Sequence, residues 1–251
     1  MVSGTSRRFA VPMVVACMGV LGSAATAHAA GGLSVTPAVL EHQATVGKVG
    51  SLTLNNTTNE SLRVTVRVRP WLQQLNGNVF TDPRSTFSRY VRATRQSFTI
   101  AGGAKVPVNF RMLRRTASGS LYGNVDIIGK PVNTAGRKGI IPQYRLISSL
   151  RLHPARKSLR LRTGAAQIRG GAFVLPVRNL GNTIEPVSGT YKLSGPGTRS
   201  GSIAAVRVIP GKLVGLGLGS TRGMKKGRYT ITASLVQAGK RISARTSVTL
   251  R

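Results

Sequence analysis

Along Gly50–Trp71 (GSLTLNNTTNESLRVTVRVRPW) apolar and polar side chains alternate, stop at a polar tract, and then alternate again with arginines. Strand side chains point to opposite faces with period two, so Leu52 and Leu54 share one face, and Leu62, Val64, Val66 and Val68 share a face of the next strand. Arg63, Thr65, Arg67 and Arg69 point the other way, which predicts antiparallel strands with one face on a core and three arginines exposed on the outer face. The tract Asn55–Ser61 supplies residues that tolerate left-handed dihedrals and bond to their own backbone, as a connection between strands requires.

The same pattern continues through the chain. Ser97–Ile100, Lys105–Met112 and Leu121–Ile128 read as strands, separated by Gly102-Gly103 and by Thr116–Ser120, and Ile140–Leu152 is the longest candidate. Beyond Pro154 come Ser158–Arg162, Ala172–Arg178, Val187–Leu193, Ile203–Val208, Leu213–Leu218, Arg228–Val236 and Ile242–Leu250. Gly, Pro, Asn or Ser bounds each run, Gly239-Lys240 is a hairpin signal, and no long segment has a 3.6-residue period. The expected fold is therefore all-β, with two immunoglobulin-like β-sandwich domains divided at Pro154: residues 31–153 and 154–251. A single barrel or a solenoid fits less well, because no short repeat period is present. Gly215, Gly217 and Gly219 fall on one strand face in LVGLGLGS; without a following helix they are no phosphate loop, and they predict a bare face that another backbone approaches.

Residues 1–30 read as an export signal: Arg7 and Arg8, an apolar run from Phe9 to Leu21, and the small-x-small site Ala27-His28-Ala29. SRRF also resembles a twin-arginine signal, and VVAC ending at Cys17 a lipobox. No later stretch approaches the ~18 apolar residues of a membrane span. The expected location is exported, either periplasmic or at the cell envelope or outside it, with lipidation at Cys17 as the alternative. Cys17 is the sole cysteine, so cleavage at the alanine site leaves no disulfide, thiolate metal site or cysteine nucleophile. Apolar burial must hold the fold, and aromatics at 5% point to cores of Val, Leu and Ile.

The formal charge of +32 falls to +30 when Arg7 and Arg8 leave, because only Glu41, Glu60, Asp82, Asp126 and Glu185 are acidic. Most cations must then face water or a polyanion: wall polymer, anionic lipid, extracellular nucleic acid or an acidic protein. An arginine excess that reflects base composition alone explains the count equally well. Nothing in the pattern reads a nucleic-acid sequence.

The same scarcity of acids argues against catalysis. After cleavage His42 and His153 are the histidines, expected at opposite ends of the first domain, and Glu41 faces away from its neighbour His42. Neither paired carboxylates nor metal-ligand spacing stands out, so no enzyme activity, metal or cofactor is implied.

LSVTPAVLEHQATVGKVGSLTLNNTTNESLRVTVRVRPWL, QSFTIAGGAKVPVNFRM and GSLYGNVDIIGKP carry a family likeness. In order they look like the opening strand with its proline, the asparagine-bearing turn, the glycine-punctuated middle hairpin and the late strand of the N-terminal domain of periplasmic pilus-assembly chaperones. Extracellular surface-complex modules of Gram-positive bacteria are related. The likeness runs from about Leu33 to Pro154, while the second half looks like a generic extracellular sandwich. What the resemblance implies is strand donation to an incomplete pilus subunit, with backbone bonds giving affinity and alternate side chains specificity. GIIPQYRLISSLRLHP falls at the donor position, with Ile141, Tyr144, Ile147 and Leu150 as partner-contacting candidates. An ordinary core strand with one wet face accounts for the pattern too. The family also holds the subunit's terminal carboxylate with a basic pair between its domains. Arg151 resembles the last-strand member; the first-strand arginine is missing, and Arg145, Arg156, Lys157, Arg160 and Arg162 crowd the same junction. The expected function is an exported, non-catalytic, chaperone-like module for a protein subunit or envelope partner. The alternative is a cationic envelope protein that binds anionic wall polymer.

Overall fold

The computed structural model describes residues 32–251; the expected signal region, with Cys17 and its alternatives, lies outside them. Among the described residues every regular element is a β-strand. The first ten are β1 (Leu33–Thr36), β2 (Val39–Gln43), β3 (Gly47–Asn56), β4 (Leu62–Gln73), β5 (Val79–Thr81), β6 (Val91–Ala93), β7 (Ser97–Ile100), β8 (Lys105–Met112), β9 (Leu121–Pro131) and β10 (Tyr144–His153). They form one sheet ordered β1-β3-β8-β6 and a second ordered β2-β10-β9-β4-β5, with β7 also on β4. The remainder are β11 (Leu161–Thr163), β12 (Gln167–Arg169), β13 (Ala172–Asn179), β14 (Pro186–Ser194), β15 (Thr198–Arg207), β16 (Leu213–Ser220), β17 (Gly227–Gln237) and β18 (Lys240–Leu250). In this second sandwich β13 carries β11, β12 and β16, and faces a sheet ordered β15-β14-β17-β18.

The alternation read from the sequence is what closes the first sandwich. On β4, Leu62, Val64, Val66 and Val68 are buried against Leu52, Leu54, Phe110 and Leu150, while Arg63 and Arg67 are exposed. Arg69 departs from the expectation of three exposed arginines: it is 8% exposed, because the segment after β5 folds over it. Its Nη1 donates to the carbonyls of Pro83 (2.7 Å) and Ser85 (3.2 Å). A second core, built on Phe173, Leu175, Leu193, Tyr229 and Ile231, fills the other sandwich.

One corner device recurs in both. Asn56, fully buried at the end of β3, donates from Nδ2 to the carbonyls of Glu60, Ile100 and Ala101, and its Oδ1 accepts from the N–H and hydroxyl of Thr58. Asn179, at the end of β13, donates likewise to Thr183 and Val208 and accepts from the Gly181 N–H. A carboxamide is what such a corner needs, since it satisfies carbonyls of two loops and an N–H at once. Asn56→Ala is expected to lower stability by about 3 kcal/mol, since it strands several buried polar groups. Urea unfolding would measure this, and a loss under about 1 kcal/mol would show that water replaces the amide.

Chain topology also brings together groups expected to be apart. The chain passes from the first sheet to the second at Pro37, so β2 lies parallel to β10 with His42 opposite Leu152 and Gln43 opposite His153. The two histidines therefore sit on neighbouring strands, not at opposite ends, and His153 Nε2 lies 2.5 Å from Glu41 Oε1. Sequence spacing hides this because the pairing is parallel and spans more than a hundred residues.

Candidate partner-binding edge and cleft

The first part of the candidate site is a sheet edge left open by that crossing. β9 pairs with β10 from Tyr144 to Leu152, but β2 covers the other side of β10 only from Ser149 to His153. The Ser149 N–H donates to the Ala38 carbonyl on the β2 side. Backbone groups alternate in direction along a strand, so the N–H and C=O of Arg145 and Ile147 point toward the same side, beyond the reach of β2. This edge is ready to receive another strand. Before it, residues 132–143 form no strand, and they include Ile140 (98% exposed) and Ile141 (44%).

The even residues of β10 face the core, and Leu150 and Leu152 are fully buried there. Leu150 is thus unavailable to an outside strand unless the sandwich opens. Tyr144 packs its ring against the same core. Arg145, Ile147, Ser149 and Arg151 form the outward row, with Ile147 half exposed. The exposed apolar residues among the four partner-contacting candidates are Ile141 and Ile147.

Beside this row β9 is buried on both faces, which explains an acid inside a very basic protein. Asp126, 3% exposed, receives Arg69 Nε at 3.1 Å and Arg145 Nε at 2.9 Å. The bond to Asp126 holds the Arg145 guanidinium above its ordinary pKa. Arg145 is thereby anchored to the sheet and does not belong to the interdomain group in which the sequence placed it.

Further along, the outward face of β10 enters a cleft between the sandwiches. Its cavity of about 500 Å³ is walled by Trp71, Val79, Phe80, Ile147, Ile184 and Ile209, and two arginines also line it, Arg151 on β10 and Arg207 on β15. The Nε of Arg151 is buried with no hydrogen-bond partner among the described residues. Arg151 as a whole is only partly withdrawn from water, and a guanidinium so placed makes its strongest hydrogen bonds with anions. Arg207 spends one donor on the Ile184 carbonyl (3.2 Å).

The cleft is held by direct contacts. Trp71 stacks on Tyr122 at 6.3 Å, and these rings pack with Ile184 and Ile209 in a small core of their own. Burial raises the pKa of the Tyr122 phenol. The carboxamide of Gln73 donates to the Arg207 carbonyl (2.7 Å) and accepts from the Ile209 N–H (2.9 Å), fixing the height of Arg207. Leu75 reaches the glycine-rich strand β16, where its carbonyl accepts from the Gly215 N–H at 2.6 Å. A Cβ would meet Val174 at 2.5 Å at Gly215 and the Tyr191 hydroxyl at 2.8 Å at Gly219, whereas Gly217 faces open space, so the bare face serves close approach at two of its three glycines.

Of the six cations expected at this junction, Arg151 alone lines the cavity. Lys157 lies 2.6 Å from Glu185 and lowers the pKa of that carboxyl. Arg156 and Arg160 are exposed on the connection and lend their backbone carbonyls to Asn182, Leu180 and Gly181. Arg207 was missed, and no local signal marks it: β15 reaches the cleft only through packing of the two sandwiches. The sole tryptophan, with Phe80 nine residues on, was the one available hint to the wall.

No family model matches the chain, and no curated protein matches it. Solved structures do. One is the crystal structure of a class 5 fimbriae chaperone, CfaA, at 9% identity and TM-score 0.54, covering 85% of this chain and 98% of that one. Another comes from a chaperone–tip adhesin complex of CFA/I fimbriae biogenesis, at 9% identity and TM-score 0.56 with the same coverage. The chain thus has the two-sandwich fold of fimbrial chaperones. At 85% coverage the likeness extends into the second sandwich, which the sequence reads as generic.

Proposed function

We propose that this chain is an exported, non-catalytic chaperone-like module, of two domains meeting at Pro154, that binds an unfinished β-sheet subunit by strand addition along β10. The observation that carries this reading is the open edge at Arg145 and Ile147 leading into a cleft with two arginines. Backbone bonds at the edge supply affinity, and the outward apolar side chains supply register. The likeness in fold to a class 5 fimbriae chaperone supports assembly of surface fibres as the setting.

The cleft adds a direction. A partner strand running parallel to β10 brings its C-terminal end toward Arg151, leaves the edge where β2 takes over at Ser149, and turns past Ile147 into the cavity. Its terminal carboxylate then meets Arg151 and Arg207, while its last side chains meet Trp71 and Phe80. A hydrogen bond to a charged group contributes about 1.5–3 kcal/mol, so amidating the C-terminus of an alternating apolar strand peptide should weaken binding about tenfold or more. Arg151→Ala with Arg207→Ala should abolish that difference. Equal binding of acid and amide by the unaltered protein, measured by calorimetry, would remove the carboxylate from the proposal.

A further inference from the structure

On the other sheet of the first sandwich, the ladder sets three cations in one line. Lys48 on β3 is directly opposite Arg111 on β8, and Arg111 is directly opposite Arg92 on β6. All three are exposed on the outer face. Neighbouring strands lie about 4.8 Å apart, so three positive charges fall within about 10 Å. Like charges in direct register destabilise a sheet. No other row among the described strands holds more than two cations.

Nothing in the described chain offsets this row. Glu41 is engaged by His153, Glu60 by Arg137, Asp126 by Arg69 and Arg145, and Glu185 by Lys157. Asp82 accepts from the N–H of Arg84. Arg92 donates from Nε to the Ser88 carbonyl, which aims it without neutralising it. Two residues along β8, the next row on the same face is uncharged and polar: Ser51 is opposite Asn109, and the Thr94 N–H bonds the Asn109 carbonyl. Lys48, Arg111, Thr94 and Asn109 line a shallow recess of about 440 Å³. The Asn109 carboxamide makes no hydrogen bond among the described residues, so a donor and an acceptor stand beside the cations.

We propose that this face binds a linear polyanion in which phosphodiesters alternate with hydroxyl-bearing units. The cation row takes the phosphates, and the Ser51, Asn109 and Thr94 row takes the hydroxyls. Lys48, Arg111, Thr94 and Asn109 share one recess, which suits a single chain laid into it better than the flat array of headgroups on a lipid surface. The site lies on the sheet opposite to β10, so it operates whether or not β10 accepts a strand.

The test uses the whole protein with poly(glycerol phosphate), inorganic polyphosphate and phosphatidylglycerol vesicles as probes. Lys48→Ser, Arg92→Ser and Arg111→Ser together should weaken poly(glycerol phosphate) binding about tenfold or more near 0.1 M salt and flatten the slope of log K against log salt by about 2. A matched triple, Arg169→Ser, Arg178→Ser and Arg245→Ser, removes the same charge from the second sandwich and should cost less than about threefold. Asn109→Ala should weaken poly(glycerol phosphate) and leave polyphosphate unchanged. The first triple should melt no lower than the unaltered protein, because a repulsive row has gone. Equal losses from the two triples would make the attraction diffuse and overturn the site. A lower melting temperature for the first triple would make the row structural, and vesicle binding with the same dependence on the row would assign the face to lipid instead.

Discussion

Asp126→Ala is expected to destabilise the first sandwich by about 3–5 kcal/mol, the usual result of removing one partner from a buried ion pair. Asp126 is 3% exposed and Arg69 8%, so neither can turn to water without moving the strands. With the carboxylate gone, Arg69 keeps its carbonyl partners at Pro83 and Ser85 but has no counter-charge. The segment that covers β4 should then loosen, and the melting temperature should fall by about 10 °C or more for a chain of this size. Arg145→Ala is the control. Its side chain is half exposed, so its share of the same carboxylate is screened and should be within about 1 kcal/mol. Thermal unfolding of the two variants separates these cases, and similar small shifts from both would mean that the triad contributes little.

The second large effect concerns the partner. Ile141→Asp combined with Ile147→Asp should leave the free protein folded, because both side chains are already well exposed. In a strand-added complex the same carboxylates would lie against the partner's apolar groove, each at a desolvation cost of several kcal/mol, so affinity should fall more than about a hundredfold. Leu150→Asp is no substitute as a test. Leu150 is fully buried, so its aspartate would unfold the sandwich and remove binding for an unrelated reason.

Local periodicity made the strands legible. The alternation in β4, β8 and β17 needs only neighbours in sequence, so the faces of Leu62–Val68 and of Ile231–Leu235 could be assigned from spacing alone. The asparagine-rich turn after β3 was legible as a turn, but Asn56 as its buried organiser was not, because three of its partners lie in a second loop some forty-five residues away or across the turn. Arg69 misled for a similar reason: its strand parity is correct, and a distant segment then folds over it. The candidate site divides in the same way. β10 and Arg151 stood out from their own neighbourhood, whereas the open edge depends on where β2 stops, and Arg207 depends on how one sandwich packs on the other. Charge density was legible as a total, yet the line Lys48, Arg111, Arg92 exists only once the register of three strands is set.

Hydrogen–deuterium exchange reads the central claim residue by residue, comparing the protein alone with the protein bound to a β-sandwich subunit that lacks one strand. Strand addition along β10 predicts that the amides of Arg145 and Ile147, open in the free protein, become strongly protected in the complex, while those of Leu146 and Ser148, already directed to β9, change little. Protection confined to the edge strands β5, β15 or β18, with Arg145 and Ile147 unchanged, would contradict it.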